Sequence, residues 1–161
     1  MNKEEMQENF NKALTLYKAG QYDAALPIFE TLAEYDHAGA IYYLTKGRYK
    51  KWISKIKHSI IIENLQKAAD KGITDAEYDM GGCLMLGEVI EADYDKAFKY
   101  FQKAAGKGHT EAQVDLAFCY EKGSGVPQDY TKAAHWYEKA AAQGDSYAQE
   151  MLNELKSKGK I

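Results

Sequence analysis

Asp129-Tyr130-Thr131-Lys132-Ala133, followed by Trp136-Tyr137-Glu138-Lys139-Ala140-Ala141, repeats a stretch lying 36 residues earlier in the chain. The earlier copy reads Asp93-Tyr94-Asp95-Lys96-Ala97 and then Tyr100-Phe101-Gln102-Lys103-Ala104-Ala105. The same shift aligns Gly72 with Gly108 and Gly144, and Ala76 with Ala112 and Ala148, without an insertion. Self-similarity at a fixed period of about 20 to 50 residues marks stacked supersecondary units, none of which can bury its apolar face alone.

Within one period Ala112, Leu116 and Tyr120 recur at helical spacing, and so do Ala133, Trp136, Tyr137, Ala140 and Ala141. Each unit is therefore predicted to be two amphipathic helices, one from about Thr110 to Lys122 and one from about Tyr130 to Gln143. Asp93 and Asp129 stand where N-caps belong, where a carboxylate accepts the unpaired N–H groups of the first turn and favours the positive helix end. Gly108 and Gly144 supply the left-handed residue after a helix end. Alanines at paired positions let helices approach closely, and large rings, Trp136 among them, are expected to fill the space between hairpins.

Working backward, Ala40, Leu44, Leu65, Lys67, Ala68, Ala69 and Gly72 keep the register through a degraded second unit. The first unit departs from this pattern, because the run from Leu16 to Ala25, then Phe29 and Leu32, closes its hairpin with a shorter turn. Past Gly144, Ala148, Leu152 and Leu155 continue one apolar stripe, as a capping helix does. The expectation is one all-α domain of nine helices and no sheet, with hairpin units at about 1–36, 37–72, 73–108 and 109–144 and a cap over 145–161.

Composition agrees. Of 161 residues, 45% are hydrophobic and 28% charged, with only two prolines, which suits a soluble helical protein and not a disordered chain. A formal charge of -3 gives no global attraction to nucleic acid or an anionic membrane. The apolar runs are too short to span a bilayer. Met1-Asn2-Lys3-Glu4-Glu5 enters an acidic helix pattern without the basic start and apolar stretch of a secretory leader, so the chain as written is expected to be cytoplasmic.

The charge is unevenly spread. Lys46, Arg48, Lys50, Lys51, Lys55 and Lys57 fall between Lys46 and His58 with no acid among them, interleaved with Trp52, Ile53 and Ile56. A solvated loop is the plain reading of such a run; an acidic partner, nucleic acid or self-association is the sharper one.

Little in the chain points to chemistry. Neither Gly81-Gly82 nor Gly123-Ser124-Gly125 is followed by the lysine and hydroxyl residue that a phosphate loop needs, so these glycines are read as turn and packing residues. His37, His58, His109 and His135 show no metal-ligand spacing and read as surface or repeat-junction residues. Cys83 and Cys119 stand one period apart, on the same rung of successive hairpins. Stacked helices lie about 8–10 Å apart, whereas a disulfide wants Cα atoms at roughly 4.4–6.8 Å, so both thiols are expected to be unpaired and buried. No cofactor, metal or catalytic residue is expected.

The third and fourth units resemble the Sel-one-like repeat family, a branch of the tetratricopeptide-like α-solenoids. Ala112 through Ala141 carries the resemblance best, through Gly123-Ser124-Gly125-Val126-Pro127-Gln128-Asp129, Lys132-Ala133 and Trp136-Tyr137-Glu138-Lys139-Ala140-Ala141. The third unit has Gly87-Glu88-Val89-Ile90 in its loop, the second keeps only the frame, and Gln7 to Glu34 looks like a plain tetratricopeptide hairpin. The resemblance implies a right-handed superhelix of about four hairpins plus a cap, whose first helices line a concave face, and a role as scaffold or adaptor for a protein or peptide partner. Some secreted bacterial members are associated with β-lactam binding or hydrolysis, and those carry a cysteine pair within each repeat. Here two units have one cysteine each and two have none.

By the same resemblance the groove is lined by Tyr42, Tyr43, Lys46, Asp75, Tyr78, Asp79, Glu111, Asp115 and Phe118. Tyrosine offers a large apolar face with a polar tip, suited to an extended peptide or a partner helix, and the carboxylates favour a basic ligand. The competing reading is that Tyr42, Tyr78 and Phe118 pack between helices. A protein-binding scaffold is thus the first functional expectation; a β-lactam or cell-wall enzyme is the alternative, and nucleic-acid contact through the basic run from Lys46 to Lys57 is the weaker one.

Overall fold

A computed structural model of the chain describes residues 1–44, 58–87 and 90–161. Among the described residues there are nine helical segments and no strand. They are α1 (Lys3–Lys18), α2 (Tyr22–Glu34), α3 (residues 38–44), α4 (His58–Asp70), α5 (Thr74–Leu86), α6 (Tyr94–Gly106), α7 (Thr110–Lys122), α8 (Tyr130–Ala142) and α9 (Ser146–Ser157). Consecutive helices pack on one another, α1 on α2, α6 on α7, α7 on α8 and α8 on α9. The chain divides into two compact units, Met1–Ala76 and Glu77–Ile161.

The local codes act where the repeat places them. Asp93 Oδ1 accepts from the Lys96 N–H and Asp129 Oδ1 from the Lys132 N–H, each at 2.9 Å, so both second helices of the later unit start on a carboxylate. Two of the first helices, α3 and α7, use a histidine cap instead. His109 Nδ1 accepts from the Ala112 N–H at 3.3 Å, and His37 Nδ1 accepts from the Ala40 N–H at 3.2 Å. Asp145 plays the same part for α9, its Oδ1 accepting from Ala148 at 2.7 Å. After α6 and α8 the chain turns through Gly108 and Gly144, with φ of 92° and 95°, the left-handed region that favours glycine. Gly125 is constrained twice: its φ is 69°, and a Cβ there would lie 2.0 Å from the Tyr94 carbonyl oxygen. That contact presses the Gly-rich loop after α7 against the start of α6.

The core of the unit Glu77–Ile161 is built from small residues facing rings. Ala97, Ala104, Ala112, Ala117, Ala133, Ala140 and Ala148 are fully buried, and Phe101, Leu116 and Tyr137 fill the space between them. The buried ring of the Trp136-Tyr137 pair is Tyr137; Trp136 is half-buried, with the Lys139 ammonium 4.3 Å from its ring centroid. The expectation that Trp136 fills the core is corrected: helical phase puts residue 137, four after Ala133 and three before Ala140, on the packed face. Buried carboxylate and amide side chains here are satisfied. Glu77 is 3% exposed and receives Lys107 Nζ at 2.7 Å. One period on, Gln113 Oε1 receives Gln143 Nε2 at 2.8 Å, and Gln113 donates to the Ala105 carbonyl. The same clasp between a first helix and the end of a second helix is charged in one hairpin and neutral in the next.

The unit Met1–Ala76 is aromatic instead. Phe29 and Tyr43 stack with centroids 5.4 Å apart, and Tyr17 meets the Tyr43 ring edge-on at 5.1 Å. Tyr42 is 1% exposed and Tyr43 6%. Ala25, Leu32, Ala40, Leu65, Ala68 and Ala69 complete this core.

These packing differences set an expected order of stability. Tyr137→Ala removes a ring with no exposure and should cost on the order of 3–5 kcal/mol. Trp136→Ala should cost no more than about 1 kcal/mol. Urea unfolding of the two variants beside the parent checks this, and equal losses would place both rings in the core.

Candidate functional site

The site residues expected from sequence fall in both units, and each unit holds its own set. In the first, Tyr42 and Tyr43 lie in the core, and the Tyr43 hydroxyl donates to Asp75 Oδ2 at 2.5 Å. Their placement on an open groove is corrected. Tyr43 is packed among Phe10, Tyr17 and Phe29, and Tyr42 is buried with its ring edge-on to Tyr43, so truncating either one removes core and not a contact surface. Lys46 lies outside the described residues, as do Arg48, Lys50, Lys51, Lys55 and Lys57 of the basic run.

In the second unit the expected residues do come together. Tyr78 on α5 stacks on the ring of His109, the cap of α7, with centroids 4.5 Å apart. Its hydroxyl lies close to the Asp115 carboxylate of α7. Burial pushes the Tyr78 phenol up, and the carboxylates of Asp115, Glu111 and Asp79 push it further, so it stays a neutral donor. Burial also raises Asp115, the nearby Tyr78 hydroxyl and His109 lower it, and Glu111 adds a like charge. Glu111 is exposed, with Oε2 3.3 Å from His109 Nδ1. Helical spacing then carries the stripe along α7 to Phe118, which is 39% exposed. The Lys122 ammonium sits 5.5 Å from the Phe118 centroid, a cation held over an accessible ring face.

On α5, Gly82 occupies the position equivalent to Phe118, and a Cβ there would meet nothing within 4 Å. The space beside α5 at that level is open. Cys83 and Cys119 are both free. Cys119 is fully buried, whereas Cys83 is only half-buried, so the expectation of two buried thiols holds for one. Burial pushes both thiols up, Cys119 to about 12. Among the described residues no group of histidine, cysteine and carboxylate side chains is placed to hold a metal ion. No described helix is long and apolar enough to cross a membrane.

Two features escaped the sequence reading. One is the approach of Tyr78 to Asp115, which spans one period plus one residue and so is invisible to a comparison of identical positions. The other is the histidine cap, since histidine is not among the preferred N-caps. The recurrence of histidine at 37 and 109, two periods apart, is the clue that was present.

A chain of helix hairpins repeating every 36 residues defines an all-α repeat protein of the solenoid class. Its family is the Sel1 repeat: the family model matches residues 62–73, 74–109 and 110–145, together more than half of the chain, and the chain belongs to that family. Among solved structures it is similar to a Sel1 repeat protein from Oxalobacter formigenes, at 30% identity and a TM-score of 0.72 over 78% of this chain and 95% of that one. It is also similar to c5321, a protective antigen of uropathogenic Escherichia coli with an SLR fold, at 27% identity and a TM-score of 0.80. That match covers 99% of this chain, which spans 37% of the length of c5321. The Helicobacter pylori cysteine rich protein B shares the fold at 23% identity and a TM-score of 0.60, over 87% of this chain and 96% of that one. No curated protein matches the chain.

The thiols give a direct check on this geometry. Alkylation under denaturing, non-reducing conditions should count two free thiols. In the folded protein at about pH 8, Cys83 should react first and Cys119 much more slowly, because only the thiolate attacks and burial keeps Cys119 protonated. Equal rates would mean that α7 does not bury its face as described.

Proposed function

We propose that this protein is a binding scaffold that holds an extended basic segment of a partner protein against the first-helix face of its second unit. The observation that carries the reading is the Tyr78–Asp115 pair, flanked by Asp79, Glu111 and the exposed ring of Phe118. Charge supports it. Helices α5 and α7 carry more acid than base, whereas α6 and α8 each carry more lysine than acid. A lysine or arginine of the partner would find carboxylates on α5 and α7 and a ring face at Phe118, with the neutral Tyr78 hydroxyl beside Asp115. Membership of the Sel1 repeat family, whose proteins generally serve as protein–protein interaction scaffolds, supports the same reading.

The test uses residues whose loss leaves the core intact. Phe118→Ala combined with Asp79→Asn should weaken binding of a fluorescent arginine- and lysine-rich peptide by about tenfold or more, equivalent to roughly 1.4 kcal/mol. The melting temperature should move little, because neither side chain belongs to the buried set. Added salt should weaken the parent's binding as well. Unchanged peptide affinity in the double variant, or equal affinity for a charge-neutral peptide, would refute the assignment.

A further inference from the structure

We propose that His37 is a proton-operated latch in the first unit: its neutral imidazole holds the start of α3, and protonation of Nδ1 releases it. The cap requires a lone pair on Nδ1, which accepts the Ala40 N–H at 3.2 Å. A protonated Nδ1 is a donor and cannot accept that bond. The ring is also a packing element. It lies 4.5 Å from the ring of Phe10 on α1, and Phe10 in turn closes on Gly39, where an added Cβ would stand 2.5 Å from Phe10 Cζ. Phe10 continues to Phe29 on α2 and Tyr43 on α3, so one imidazole joins the first hairpin to the beginning of the next helix.

The charged groups around His37 oppose the proton. From the end of α4, Lys71 reaches the turn before His37, pairing with Asp36 Oδ2 at 2.8 Å and also donating to the Asp36 carbonyl. The Asp36 charge is thereby engaged, with Lys67 adding to the field on it. Helix α1 presents the uncharged Phe10, and on α3 the Tyr43 hydroxyl is bonded to Asp75. Burial lowers the affinity of His37 for a proton and Lys71 lowers it further, with a backbone hydrogen bond working the other way. The unfolded chain therefore takes up this proton at higher pH than the folded one. Stability from the latch is complete above the ordinary histidine value of about 6.5 and is lost as pH falls through the lowered folded value.

His109 supplies an internal comparison. It caps α7 through the same Nδ1 geometry and stacks on Tyr78 at the same 4.5 Å. There, however, the exposed carboxylate Glu111 places Oε2 3.3 Å from Nδ1, whereas the carboxylate beside His37, Asp36, is paired with Lys71. The acid response should reside mainly in the first unit.

Thermal unfolding of the full chain at about pH 8 and about pH 5 tests the latch, since imidazoles titrate between these values. The parent should lose several degrees on acidification. His37→Asn retains a capping acceptor that does not titrate, so it should lose no more than about half as much, whereas His109→Asn should change the loss little. Should His37→Asn fail to fold, the parent decides the matter by NMR: the Ala40 amide resonance should move along the titration of the His37 ring. A His37→Asn protein with the parent's full pH dependence, or an Ala40 amide that stays in place while His37 titrates, overturns the proposal.

Discussion

Close approach between helices is the constraint on which the rest of this structure depends. Ala76, Ala112 and Ala148 recur every 36 residues and have no exposure at all, and Ala97 with Ala133 and Ala104 with Ala140 do the same on the second helices. A methyl group at each of these positions lets neighbouring backbones come near enough for one large ring per hairpin to fill what remains. Where the ring comes closest, even a methyl is too much: a Cβ on Gly81 would lie 2.7 Å from Phe101. A period so strictly held follows from that geometry, because an insertion of one residue would turn every alanine away from its partner by about 100°.

Once the alanine and ring positions are taken by packing, the first helices have one stripe left, and its composition is what function can act upon. In the second unit that stripe is tyrosine, carboxylate and phenylalanine, with the buried polar clasps Glu77–Lys107 and Gln113–Gln143 fixing the helices behind it. Both clasps satisfy side chains that would be costly to bury alone. The proposed contact face is therefore carried by packed helices, which lowers the ordering cost of binding.

The sequence revealed the periodic part of this account and missed what depends on phase within a turn. Asp93, Asp129, Gly108 and Gly144 were legible as caps because each residue type has one local use that needs no tertiary knowledge. Trp136 and Tyr137 were not separable by pattern, since adjacent aromatics on a helix differ by about 100° and either can face the core. Tyr42 and Tyr43 were misplaced for a related reason. In the first unit a cluster of rings joins the alanines in the core, so the rule taken from the later units, that residues left over by packing line the groove, did not transfer. Tyr78, Asp79, Glu111, Asp115 and Phe118 follow from the repeat register as positions, and their binding role is a proposal. The approach of Tyr78 to Asp115 required coordinates.

The alanine seam can be tested by overfilling it. Ala112→Leu adds volume where exposure is 0%, while Ala142→Leu adds the same volume at an exposed position near the end of α8. Chemical unfolding of both proteins should show Ala112→Leu destabilised by more than about 1 kcal/mol, with Ala142→Leu within about 0.5 kcal/mol of the parent. An Ala112→Leu protein as stable as the parent would contradict the claim that close approach of the helices sets the repeat.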